Sequence, residues 1–341
     1  MQWPDRTGLA AGEIILIRRA LCRAPEVGVM EKMEKRESHI RVHLLLLCST
    51  TLVSTSFIVA EIIADALEPS VLTFVRFCVA ALILLPIVAM RHGLKIRPAS
   101  FAGYALISGC LVAFFWAMFI SLRSTTPLNI SVLFTLVPSM SALVAAVINR
   151  ERINPALFCA LVIGFAGALW VIVEGDVAQL MRMQWNRGDL IFFGGCFAMA
   201  LYTPLIRRVH RNEPMEVMTF WILVSGCLWM LPGTVVAFAA MPLTNVDASV
   251  WGWIVYMALF ATVISFYMTQ YATRMIGPTR TISYSYLYPL LVVMLDFMLG
   301  HGWPPARVFP GIVLTFGALL LLLRSTAGGQ RVRKDETVIR P

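Results

Sequence analysis

The chain has 341 residues, of which 59% are hydrophobic and only 14% charged, with a net charge of +9. A water-soluble protein of this length needs more charge to cover its surface, so the composition argues for a bilayer as solvent. The Lys and Arg residues lie in loops and tails between apolar stretches, which argues against nucleic acid as the partner.

Residues 1–41 come first. Their apolar patch, Ile14 to Ile17, is flanked by Glu13 and Arg18 and is too short to span a membrane. This segment is expected to be a disordered cytoplasmic extension, and Met30 and Met33 offer alternative translation starts. A spanning helix needs about 20 apolar residues. Ten segments qualify: 43–63, 69–90, 101–121, 126–148, 155–173, 188–206, 215–238, 250–271, 280–299 and 306–323. Pro86, Pro138, Pro204, Pro232 and Pro289 fall inside them. In a membrane bundle, neighbouring helices and water can satisfy the backbone groups that a proline frees. The polar tail, 324–341, is expected to be cytoplasmic and disordered.

The segments repeat. Arg123, Pro127 and Pro138 recur 151 residues later as Arg274, Pro278 and Pro289, and Phe115, Leu136 and Phe165 fall on Phe266, Leu287 and Phe316. Two five-helix units therefore occupy 42–173 and 188–323. With the N-terminus inside, 18 flanking Lys and Arg residues lie on the cytoplasmic side, and only Arg123, Arg182, Arg187 and Arg307 lie outside. Five is an odd number, so the second unit enters from the opposite face. The expected fold is an all-α membrane protein of ten transmembrane helices, arranged as two inverted five-helix repeats, with both termini cytoplasmic.

Several stretches resemble the EamA-type branch of the drug/metabolite transporter superfamily. They are PSVLTFVRF from Pro69, RSTTPLNISVLFTLVPSMSALVAAVINRERI from Arg123 and GFAGALWVI from Gly164. The second unit adds ALYTPLIRR from Ala200 and TRMIGPTRTISYSYLYPLLVVMLDFMLG from Thr273. The resemblance covers roughly residues 42–323. It implies ten helices in two inverted halves, a central cavity, and export or exchange of small metabolites. Two places depart from the pattern. Val53-Ser54-Thr55-Ser56 stands where the family has a Trp-Gly-Ser-Asn-like stretch, and His301 replaces the Glu that usually follows Gly300.

Ionisable groups inside apolar helices cost ~2.5–3.5 kcal/mol at the bilayer centre on insertion scales, so they tend to face a cavity. Glu61 and Arg76 lie on adjacent helices, either as a structural ion pair or as a gate and a contact for a substrate carboxylate. Asp296 either carries a proton or an amine, or snorkels outward to pair with Arg123. His301 reads as a loop residue, and Arg150, Glu151 and Arg152 as an inside-positive helix end. Gln270 is a further polar candidate, and Trp116, Tyr202, Tyr267 and Tyr284 supply aromatic surface. Trp116 and Tyr267 are matched by the repeat, which favours a central place for both.

No phosphate-binding loop, HExxH, GxSxG or paired membrane Asp motif occurs, so neither ATP hydrolysis nor membrane enzymology is expected. The cysteine spacing fits neither zinc nor redox motifs, and no metal or cofactor is expected. The expected function is secondary transport, as exporter or exchanger, of a small metabolite, amino-acid-like or another small polar or amphipathic solute, across the cell inner membrane by alternating access. The partners would be the substrate, the lipid bilayer and a coupling proton. A channel or a non-transporting scaffold is the alternative.

Overall fold

The computed structural model describes residues 25–148, 155–172, 175–176, 178, 186–209, 213–240, 246–276, 281–282, 284–300, 302–318 and 320–321. Residues 1–24 and 322–341, with Arg150, Glu151, Arg152 and His301, lie outside the described residues. The chain divides into two units, Met1–Leu45 and Leu46–Pro341. The described part of the first is helical and belongs to the long helix α1 (Pro25–Ile63). The remaining description concerns the second unit.

Proline marks where helices start. Helices α2 (Pro69–Arg91), α3 (Pro98–Ser121), α4 (Pro127–Phe134) and α6 (Pro155–Ile172) each open on one. At the first helical position its missing N–H is not needed and its fixed φ is already helical. Thr126 caps α4 by accepting a hydrogen bond from the Asn129 amide at 3.3 Å. Helix α5 (Val137–Ile148) follows α4 after a two-residue break. The second copy contains α7 (Arg187–Val209), α8 (Met215–Ala240) and α9 (Ala248–Ala258). A π-helical segment (Leu259–Ile264) leads from α9 into α10 (Ser265–Ile276). A 3-10 turn (Tyr284–Leu287) then opens into α11 (Tyr288–Met298), and α12 (Ala306–Ala318) follows. Among the described residues there is no strand.

Among the described residues, seven helical stretches are long and apolar enough to cross a membrane. Two are compound: Pro127–Val144 runs across α4 and α5, and Ala248–Thr273 across α9, the π segment and α10. Three shorter apolar helices, Phe158–Val171, Tyr284–Met298 and Ala306–Ala318, accompany them among the described residues. Each of the ten predicted segments falls on one of these stretches, seven of them at membrane length. Leu82, Met90, Val147, Val236 and Met298 are all well exposed on helix surfaces. So much apolar surface is untenable in water and natural against lipid. The protein is a membrane protein.

The repeat reappears as a shared break. Helix α5 starts at Val137 and α11 at Tyr288, 151 residues apart, each one residue before a proline. Pro138 and Pro289 cannot donate to the carbonyl four residues back, so the helix tightens before each of them. In the first copy, Thr135 and Leu136 donate instead to the carbonyls of Val132 and Leu133, both at 3.0 Å. The Ser139 and Tyr286 hydroxyls meet at 3.2 Å, joining one break to the other.

Counterpart helices of the two copies pack on each other. Helix α2 packs on α8, and Gly226 lets them approach: a Cβ there would stand 2.5 Å from the Phe77 ring. Helix α6 meets α12 through small residues, with Gly164 near Ala318 and Gly167 against Gly311. Small residues at matching places let membrane helices come into backbone contact. Helix α3 packs on α7, while α1 reaches the second copy through Ser49 to the Ser265 carbonyl (3.0 Å) and Thr55 to the Tyr256 hydroxyl (2.8 Å). The π segment has no match in α3, which is regular throughout.

Candidate functional site

Arg76, on the third turn of α2, is 1% exposed and among the largest fully buried side chains. Its Nε donates to the Thr262 hydroxyl at 3.1 Å, and Nη1 lies 3.8 Å from the Met257 sulfur. Its guanidinium carbon lies 4.2 Å from the centre of the Phe115 ring. Thr262 sits in the π segment and passes its own proton to the Met257 carbonyl, five residues back, at 3.1 Å. The winding of the π segment thus presents the acceptor that Arg76 uses. A π-bulge of this kind frequently marks a functional place in a helix.

The environment suits a guanidinium and does not neutralise it. A hydroxyl, a thioether and a ring face can stabilise a cation in part. Among the described residues no carboxylate forms an ion pair with Arg76, and burying an unpaired charge is costly. The expected partner, Glu61, stands half-buried on α1, while the contacts of Arg76 run to Thr262, Met257 and Phe115.

Rings lead away from Arg76 toward the two helix breaks. Phe115 touches Phe114 (5.1 Å between centroids), Phe114 touches Phe134 (5.3 Å), and Phe134 touches Tyr288 (5.3 Å). Phe57 from α1 closes a triangle with Phe134 and Tyr288 at 6.0 and 5.8 Å. Phe134 ends α4 and Tyr288 begins α11, so the cluster is built from the breaks themselves. Among the described residues, the buried hydroxyls of Ser108 on α3 and Ser285 in the 3-10 turn have no hydrogen-bond partner.

A second polar cluster joins the copies at the start of α7. Asp189 is 3% exposed and accepts a short hydrogen bond from the Thr125 hydroxyl. The Asn129 amide reaches both carboxylate oxygens, at 3.4 and 3.5 Å. Asn186 donates to the Ser124 carbonyl and accepts from the Gly188 amide, seating the α7 N-terminus on the turn after α3.

The other sequence candidates are dispersed. Gln270 donates to the Thr219 hydroxyl at 2.9 Å, tying α10 to α8. Tyr202 packs partly buried against the core, and Tyr284 is half-buried at the start of the 3-10 turn. Asp296 is half-buried on α11. Trp116 is 43% exposed and Tyr267 62% exposed. Trp116 lines an apolar lateral cavity of about 370 Å³ between α3 and α8, together with Gly109, Val112, Ala113, Trp229 and Met230. Arg123 turns its fork to the α1–α2 connection, donating to the carbonyls of Ala64 (3.0 Å) and Leu67 (2.9 Å) beside Asp65 and Glu68.

Sequence reasoning found Arg76 because a charge in an apolar helix is visible. It missed Thr262, which looks ordinary until the helix around it winds as π. It also missed Phe57 and Phe134, which are unremarkable apolar residues until the two breaks meet. Asp189 was available as an acid at a helix start, but its partners come from the other copy.

Known proteins agree with this architecture. The sequence profile of the EamA-like transporter family matches residues 40–173 and again 186–324. The uncharacterized transporter YyaM of Bacillus subtilis is 26% identical over 304 residues, covering 88% of this chain and 97% of the relative. A probable terminal-alkyne amino-acid exporter of Streptantibioticus cattleyicolor is 25% identical, covering 59% of this chain and 65% of that protein. A riboflavin transporter of Brucella anthropi is 22% identical, covering 77% and 91%. One solved crystal structure shares the fold with a TM-score of 0.62 at 19% identity, covering 86% of this chain and 98% of that one. With both copies matched over most of its length, this membrane protein belongs to the EamA-like transporter family.

Proposed function

We propose that the chain is a secondary transporter of the cell inner membrane, moving a small anionic or zwitterionic metabolite by alternating access as an exporter or exchanger. In this reading it has ten spans in two inverted five-helix halves, with both termini cytoplasmic. No chemical reaction is assigned to it. The observation that carries the reading is Arg76, a buried cation set against the second copy with no carboxylate among its described contacts. A substrate carboxylate supplies the missing charge, and the bidentate guanidinium fork suits it. The rings of Phe115, Phe114, Phe134 and Tyr288 offer an apolar surface for the rest of the molecule. Tyr202, Gln270 and Tyr284 are carried as further candidate substrate contacts, and Glu61 and Asp296 are the acids assigned to gating and proton coupling. Trp116, which lines the cavity between α3 and α8, and Tyr267, which is exposed on α10, remain further candidate contacts.

The pairing of counterpart helices supports alternating access, since halves that meet on matching faces can rock about them. Two relatives bear names that denote small amphipathic solutes, a terminal-alkyne amino acid and riboflavin, which supports the class rather than a compound. The test is counterflow of labelled amino acids into proteoliposomes, with and without a pH gradient. Saturable counterflow that is lost in Arg76→Gln is expected. Flux that never saturates would indicate a channel, and absence of flux under every condition would defeat the reading.

A further inference from the structure

We infer that Cys78 and Cys227 form a dithiol modification site whose oxidation joins the two halves covalently. The Cys78 thiol points at the Cys227 sulfur, and the two sulfur atoms are 3.4 Å apart. Neither is in a disulfide, and both are half-buried. They lie on α2 and α8, the counterpart helices of the two copies, and are 149 residues apart, close to the repeat of 151. The proximity has a structural cause. Gly226 precedes Cys227 and admits the Phe77 ring that precedes Cys78, so the helices approach closely at the level of the thiols.

The placement gives a bond there a consequence. Arg76 lies two residues before Cys78, and its partners Met257 and Thr262 belong to the second copy. A covalent tie at this level holds α2 against α8 and stops relative movement of the two halves next to Arg76. Formation of the disulfide removes two protons and two electrons from the thiols, so it needs a two-electron oxidant. A membrane-soluble quinone, reduced to its quinol, is the class that reaches this depth. The azo compound diamide performs the same step in vitro. One thiolate adds to its N=N bond, and the other attacks the resulting sulfenyl sulfur and expels the hydrazine, whose nitrogens retain both protons.

The test uses the full chain in lipid nanodiscs, with a protease site inserted among residues 177–185, between the two matched stretches. After diamide and cleavage, the halves are expected to run together without reductant and separately after dithiothreitol. In Cys78→Ser and in Cys227→Ser they separate under both conditions. Oxidation of the uncut protein is expected to slow amide hydrogen exchange in the last turns of α2 and α8 at least threefold, reversibly, and in neither Ser variant. The proposal is overturned if the oxidised halves separate, if the link survives loss of either cysteine, or if exchange is unchanged by the link. No substrate enters these measurements, so their failure is distinguishable from failure of the transport reading.

Discussion

Gly167 and Gly311 occupy each other's side-chain space. A Cβ on Gly167 would stand 2.8 Å from the Gly311 carbonyl oxygen, and one on Gly311 would stand 2.7 Å from that of Gly167. The contact is reciprocal, as expected of two related helices meeting on one face. Backbone cannot move aside as a flexible side chain does, so Gly311→Ala forces α6 and α12 apart. Overpacking of this kind costs about 1–3 kcal/mol. Gly317, one helix face away, meets nothing within 4 Å. Gly317→Ala is therefore expected to be neutral or to stabilise by about 0.5–1 kcal/mol through helix propensity. Thermal midpoints in detergent should move in opposite directions for the two variants.

Arg76→Met separates stability from function. The native guanidinium is buried with a hydroxyl, a sulfur and a ring as partners. An apolar chain of similar length removes an unneutralised charge, so the thermal midpoint is expected to hold or rise. Transport should fall at least tenfold in the counterflow assay. A variant that unfolds at a lower temperature while still transporting would show that Arg76 is structural.

Thr262→Val, in contrast, should lower the thermal midpoint. It removes the acceptor of Arg76 Nε while keeping the side-chain volume, leaving a buried donor unpaired at a cost of about 1–3 kcal/mol. Thr262→Ser keeps the hydroxyl and is expected to behave almost as wild type. Melting curves for the two variants provide the comparison.

Arg123 is expected to act through backbone rather than through charge. Its contacts to the Ala64 and Leu67 carbonyls are 3.0 and 2.9 Å, whereas its approaches to Asp65 and Glu68 are 3.7 and 3.9 Å to well-exposed acids. Exposed ion pairs contribute about 0–1 kcal/mol and are screened by salt. Asp65→Asn should therefore change the thermal midpoint little. Arg123→Gln should lower it by an amount that persists at high salt.

Helix starts were legible because proline announces them, and the repeat was legible because prolines recur at a fixed offset. The placement of rings was less so. Trp116 and Tyr267 match across the copies, yet matching does not give them equal surroundings: Trp116 lines the cavity between α3 and α8, and Tyr267 is absent from its lining. The counterpart helices that meet are α2 with α8 and α6 with α12, and neither residue lies on them. The partner of Arg76 was hidden for a different reason. One extra residue in the winding of Leu259–Ile264 decides which face carries Thr262, and residue order alone does not announce that slip.

The bond between Ser139 and Tyr286 couples two joints. Each hydroxyl sits beside a proline break, one in either copy, so bending one span alone stretches or breaks the bond, whereas bending both together preserves it. Duplication therefore supplied a linkage as well as a second set of helices. The two breaks are tied to each other, so a bend at one that leaves the other in place costs this hydrogen bond.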